Sequence, residues 1–251
     1  DEDKGFKMHR RLLFTFGIIL MMVAAAPLSA QDDEAERPLR VVGYFPAWSI
    51  YGREYFVTDI PAQMLTHINY AFAIISEDGE IAMLEPYTDT EFPYPDDTED
   101  QPLKGNFNQL QLLKAEHPHL QTLISVGGWA DSERFSDVAL TEESREKFAQ
   151  SAVQFIVEYG FDGVDLDWEY PTGGGDAANV TRPEDPENFV LLLEAIRTAL
   201  DAQGEADGRE YLLTIAQGSS RNAYEPLDWE RIAPLLDWIN VMTYDLAGTW
   251  N

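Results

Sequence analysis

Cysteine is missing from this chain. Its absence excludes a disulfide framework, thiolate catalysis, cysteine-ligated metal sites and a lipid-modified N-terminal cysteine. Histidine is nearly as scarce. His9, His67, His117 and His119 are the only four, and none stands in an HExxH-type array. The pair in HPHL flanks Pro118 and reads as solvated loop. Positive charge is thin as well, with 17 Lys and Arg against 45 Asp and Glu and a net charge of −28. Such a surface repels a polyanion, so no nucleic-acid partner is expected. The charge itself reads as solubility or adaptation to salt.

Long apolar runs are also lacking, with one exception. Residues 12–28, LLFTFGIILMMVAAAPL, follow a basic start of Met8, His9, Arg10 and Arg11 and precede the small pair Ser29 and Ala30. The run is short for a membrane span and has no basic stop-transfer flank. Residues 1–30 therefore read as an N-terminal extension and a cleaved secretion signal covering 8–30, with no stable membrane anchor. The expected location is extracellular or periplasmic. Residues 31–38 form a polar linker, and 39–251 the functional domain.

What remains is ample for a core. The chain has 251 residues, 45% hydrophobic and 12% aromatic, which is not a disordered composition. From residue 39 on, strand-like and helix-like patterns alternate. LRVVGYF (39–45), LTHINYAFAII (65–75), LQTLISVGG (120–128), FDGVDLDWEYP (161–171), YLLTIAQ (211–217) and DWINVMTYD (237–245) read as strands. Helices are expected over 106–118, from Thr141 to a stop at Gly160, over 183–204 and over 226–236, with Ser76 to Gly105 as a long acidic loop. Six βα-type steps point to a parallel α/β architecture. A closed barrel and a doubly wound sheet both fit that alternation.

The segment FDGVDLDWEYP (161–171) carries four carboxylates in apolar surroundings. Side chains alternate along a strand, so Asp165, Asp167 and Glu169 share one face while Val164, Leu166 and Trp168 share the other. Asp162 has the opposite parity and reads as structural. Carboxylates are costly to bury, so the acidic face must look into a functional cavity. Inward acids at the C-terminal end of a mid-chain strand favour the barrel, where such enzymes hold their chemistry. Like-charge repulsion should raise at least one pKa, with Asp165 and Asp167 sharing a proton and Glu169 holding one to donate. The same acids could hold calcium or magnesium. Calcium loops, however, spread ligands around a glycine-containing turn instead of stacking them in a column, and neither metal nor cofactor is expected.

DGVDLDWEYP closely resembles the D-x-x-D-x-D-x-E motif of glycoside hydrolase family 18, the chitinases. SVGGW (125–129) is similar to the family's third-strand signature, VGYFPAWSIYGR to its first strand and loop, HINYAFA to its second strand, and MTYDLAGTW (242–250) to its sixth-strand motif. Together these stretches run from Val42 to Trp250.

The resemblance implies a (β/α)8 barrel that hydrolyses β-1,4 linkages between N-acetylglucosamine units with retention, by a substrate-assisted route. It implies Glu169 as the acid and the substrate's acetamido oxygen as the nucleophile. Asp167 would hold the acetamido N–H, Asp165 would exchange a proton with Asp167, and Tyr244 would bind the acetamido oxygen. Met242 and Asp245 would line that subsite, and Trp129, Tyr170 and Trp250 the groove. Tyr44 and Phe72 fit either groove or core, and Ser125, Gly127 and Gly128 read as packing. Trp168 reads as core, while Trp48, Trp229 and Trp238 take no role. The partners implied are chitin and its oligosaccharides, with the complete protein a monomer. Only about six βα units are present, and the part after residue 30 is shorter than the ~250 residues usual for the barrel. The chain therefore reads as C-terminally incomplete. Two alternatives remain: a related endo-β-N-acetylglucosaminidase acting on N-glycans, and a non-catalytic chitin-binding lectin on the same fold.

Overall fold

The computed structural model of the protein describes residues 39–249. The secretion signal, the linker and Trp250 lie outside the described residues. Leu39–Asn251 forms one compact unit.

The six apolar runs become six parallel strands: β1 (Val42–Pro46), β2 (His67–Ile75), β4 (Gln121–Gly127), β5 (Gly163–Asp167), β6 (Leu212–Gly218) and β7 (Trp238–Met242). They pair in chain order, β1-β2-β4-β5-β6-β7. A doubly wound sheet would reverse that order midway. The unreversed order is that of a (β/α)8 barrel, here with six βα units, and it decides between the two architectures. Among the described residues, β1 and β7 each pair on one side only.

Helices α2 (Gly105–Glu116), α4 (Glu142–Tyr159) and α5 (Asp185–Asp207) are the long crossovers. α1 (Ser49–Gly52), α3 (Phe135–Ala139), α6 (Arg221–Tyr224) and α7 (Trp229–Ile232) are single turns. The Thr141 hydroxyl caps α4 by accepting the Ser144 N–H, and Gly160 ends it at φ 72°. Helix faces cover the outer side of the sheet. Phe107, Phe148, Ala152, Phe155 and Ile156 join Ile68, Ile124, Val164 and Leu166 in one buried cluster.

Three expectations need correction. The segment after β2 is not plain loop. Asp78 and Gly79 make a tight turn, with Gly79 at φ 76°, and fold Ile81–Met83 back as β3, antiparallel to β2. An Asp-Gly pair between apolar runs is a hairpin signal. A helical turn, Tyr87–Glu91, follows it. Helix α5 runs past Gly204 to Asp207, because Gly208, at φ 68°, supplies the left-handed stop. The helix expected over 226–236 breaks into α7 and a 3-10 turn, Ala233–Leu235, since Pro234 has no N–H to give an α-helical bond.

The segment after β3 is anchored by a buried polar chain. Tyr94 Oη donates to Asn106 Oδ1 at 2.7 Å, Asn106 Nδ2 to Tyr70 Oη at 2.9 Å, and Tyr70 Oη to Asp89 Oδ1 at 2.5 Å. Asp89 is fully buried, and its Oδ2 has no hydrogen-bond partner. Burial, only partly offset by the Tyr70 bond, raises its carboxyl from 3.8 to about 7. The folded state thus binds this proton more tightly than the unfolded state. The resulting stability is complete below about pH 4 and is lost as pH rises through about 7. At 1.36 kcal/mol per pK unit, the loss is at most about 4 kcal/mol. Asp89→Asn should lack this component. Between pH 4 and 8, urea unfolding should show the parent losing roughly 2–4 kcal/mol more than the variant; parallel pH curves would refute the assignment.

Candidate active site

Strand β5 places its acids as period-two alternation requires. Val164 and Leu166 sit in the outer apolar layer with Trp168, which stacks on Phe135 at 5.3 Å and 11°. Asp165 and Asp167 lie in the register shared with Ser125, Gly127 and Thr214 of the neighbouring strands. Asp162 accepts from Thr122 N–H and pairs with Lys114 at 2.5 Å and with Arg209. It ties strands to helix and loop, as its parity suggested.

Asp165 has no exposed surface and four donors. Tyr44 Oη and Ser125 Oγ each donate to Oδ2 at 2.8 Å. Thr214 Oγ1 and Asn240 Nδ2 donate to Oδ1 at 2.5 and 3.1 Å. Trp238 Nε1 donates to Asn240 Oδ1 at 3.0 Å and so orients that amide. Four neighbouring hydroxyl and amide donors suit an anion, whereas a cation would face the donors' hydrogens. Beneath the site, Ser125 thus does more than pack, since its hydroxyl helps to solvate Asp165. Trp238 likewise has a place, wedged beneath Arg40 and beside His67.

Asp167 is different. It is 5% exposed, and its Oδ1 has no partner. Burial first, then the charges of Glu169 and Asp165, push it up to about 8. Desolvation, not the like-charge repulsion anticipated, is the main cause. Glu169 is raised too, by burial and by Asp245, against a lowering bond from Tyr170.

Above these acids two cavities adjoin. One, of about 650 Å³, is lined by Trp129, Glu169, Tyr170, Gly218, Met242, Tyr244 and Asp245. The other, of about 460 Å³, is lined by Tyr44, Trp48, Phe72, Asp167, Asn240, Met242 and Tyr244. Thus every described candidate except Asp165, which sits beneath, borders this double cavity. Trp48 was missed, and it meets Phe72 at 6.1 Å. Its signal was its position two residues beyond β1, at the mouth where loops carry function. Thr214 and Asn240 were also missed; their only trace was a polar residue at inward parity in an apolar strand. A slightly larger cavity, about 690 Å³, lies away from the acids. There Arg197 pairs with Asp201 and Asp237.

The third-strand glycines are crowded as expected. A Cβ on Gly127 would stand 2.5 Å from Asp167 O and 2.6 Å from Phe135 Cε2, at a φ of 102° that favours glycine. Gly127→Ala should therefore lower stability by about 2 kcal/mol or more. A thermal unfolding midpoint within a degree of the parent's would contradict this.

The family profile of glycosyl hydrolases family 18 matches residues 40–251. Chitinase A1 of Niallia circulans is 45% identical over 100% of this chain and 40% of its own length. Chitinase 1 of Aphanocladium album is 38% identical over 90% of this chain and 53% of its own. Among solved structures, chitinase ChiA74 from Bacillus thuringiensis superposes with a TM-score of 0.82 at 43% identity, covering 86% of this chain and 41% of that one. The chain thus spans about half or less of the length of these relatives.

Proposed function

The chain belongs to glycoside hydrolase family 18, and on that premise we propose that the protein is a chitinase, hydrolysing β-1,4 linkages between N-acetylglucosamine units with retention. The observation that carries this reading is an intact Glu169, its acidity weakened by burial, beside an Asp167 raised to about 8, the two opening into adjoining aromatic-lined cavities. A lectin on this fold would not need the acid.

The reaction follows from the gradient of environments. A sugar ring stacks its apolar face on Trp129 or Trp48, exposed rings with room above them. Glu169, whose protonated form burial favours, gives its proton to the glycosidic oxygen. The substrate's acetamido oxygen attacks the anomeric carbon, held by the Tyr244 hydroxyl, and closes an oxazolinium ring. Asp167 faces the acetamido N–H. As positive charge develops on the ring, the ionised form of Asp167 becomes favoured and stabilises it. Asp165 then takes the proton that Asp167 sheds, its hydroxyl partners Tyr44, Ser125 and Thr214 being free to rotate and accept. Water opens the ring with Glu169 as base, and as the ring's charge is lost the proton returns from Asp165 to Asp167.

The substrates proposed are chitin and its oligosaccharides, met outside the cell. No helix among the described residues is long and apolar enough to cross a membrane. Cleavage after Ala30 would leave Gln31 as the first residue of exported protein. Mass spectrometry of secreted material should find that terminus, and a membrane-bound form beginning at Met8 would overturn the export reading.

The reaction is tested on N-acetylglucosamine oligomers. NMR at early times should show β-anomeric products, and fully deacetylated oligomers should resist cleavage, since they lack the nucleophile. Glu169→Gln should still bind oligomers while turnover falls by about two orders of magnitude. Initial α-anomers would exclude this mechanism, and release of glycans from a glycoprotein in preference to oligomer cleavage would favour the endo-β-N-acetylglucosaminidase alternative.

A further inference from the structure

Glu169 lies two residues beyond the end of β5, where no strand ladder holds its backbone. Two loops hold it instead. Ser132, fully buried after β4, accepts the Glu169 N–H at its Oγ, 2.9 Å away. The same Oγ is placed to donate to Gly128 O at 2.8 Å or Asp167 O at 3.1 Å. On the other side, Asn179 Nδ2 donates to Glu169 O at 2.7 Å. Asn179 reaches back from the loop after β5, whose Gly173, Gly174 and Gly175 all have positive φ. Gly175 makes the approach feasible. A Cβ there would stand 1.9 Å from Glu169 O and 2.8 Å from Asn179 Nδ2. The two loops are fastened to each other. Val180 N–H donates to Glu133 O at 3.3 Å, and Arg182 donates to Ser136 Oγ at 2.7 Å and Asp137 Oδ1 at 2.6 Å.

We propose that Ser132 and Asn179 are positioning residues for the acid, clamping the two peptide groups on either side of the Glu169 α-carbon and so setting the aim of its carboxyl. This rests on the reading of Glu169 as the general acid. An asparagine serving only to fold its loop would be expected to use both ends of its amide. Asn179 leaves its buried Oδ1 without a partner and gives its side-chain hydrogen bond to Glu169. With both peptide groups fixed, only the side-chain torsions of Glu169 remain free. An acid that must meet a glycosidic oxygen within hydrogen-bond reach gains rate from that restriction.

Three variants of the full chain test the clamp. Asn179→Ala removes the donor and Ser132→Ala the acceptor. Asn179→Asp keeps the shape, cannot donate when ionised, and can donate again when protonated. The measurements are kcat and KM on a chromogenic chitin oligomer from pH 4 to 8, thermal unfolding, and crystal structures of the variants. Both alanine variants should lose about tenfold or more in kcat with KM within about twofold. Asn179→Asp should be impaired at neutral pH and approach the parent's rate at the acid end. Its crystal structure at neutral pH should show the Glu169 carboxyl displaced. Parent-like kcat in all three variants, a ratio of Asp variant to parent that is constant with pH, or an unmoved carboxyl would each overturn the proposal. If the full-length parent protein leaves the oligomer uncut, the chitinase reading falls. The place of the carboxyl in the variant structures then decides the clamp by itself.

Discussion

The cost of placing a carboxylate at the centre of a parallel sheet governs this molecule. Asp165 has no water contact, and an isolated charge there would be prohibitive. The sheet meets that cost with four donors, Tyr44 from β1, Ser125 from β4, Thr214 from β6 and Asn240 from β7. Strands from both margins of the sheet thus converge on one side chain. Slipping any of them by one residue would turn its donor to the helix side and put an apolar group against the acid. The register of the sheet and the solvation of Asp165 are therefore one requirement.

From that point outward the site becomes wetter, and the gradient separates the roles of chemically similar groups. Asp165 is 0% exposed, Asp167 5% and Glu169 8%, while Trp129 and Tyr244 reach 55% and 64%. Donors surround the first acid, the second has a buried oxygen without a partner and lines one cavity, and the third lines the other. Loss of water is the largest cause of the raised proton affinity in all three, so it is the number of hydrogen-bond donors and the neighbouring charges that distinguish them. A column of carboxyls along one strand face thus occupies three different environments, which the proposed mechanism uses as an anchor, a switch and an acid.

Much of the fold was legible because its signals are local. Period-two alternation in DGVDLDWE placed Asp165, Asp167 and Glu169 on one face and Asp162 on the other, and the capping pair Thr141 and Ser144 and the stop at Gly160 framed α4. The errors came where local signals compete. Asp78-Gly79 announces a hairpin that a run of acidic and proline residues conceals. Gly204 looks like a helix stop, yet Gly208 is the residue that turns left-handed. The alternation of strands and helices could not choose between barrel and doubly wound sheet, because strand order is a property of pairing partners distant in the chain.

The sequence by itself determined the chemistry available: three inward carboxyls at fixed spacing, a tyrosine and aspartate pair at Tyr244 and Asp245, and glycines where Gly127 and Gly128 must crowd. Tertiary structure alone decided which partners those groups meet. Thr214 and Asn240 carry no motif, and they matter because β6 arrives beside β5, β7 follows beside β6, and both side chains reach Asp165. Ser132 and Asn179 lie in different loops, 47 positions apart in the chain, and they meet at Glu169 because the loops after β4 and β5 leave the same end of adjacent strands. Proton affinity follows the same division. The kind of acid is written in the sequence, but its desolvation is set by what folds over it.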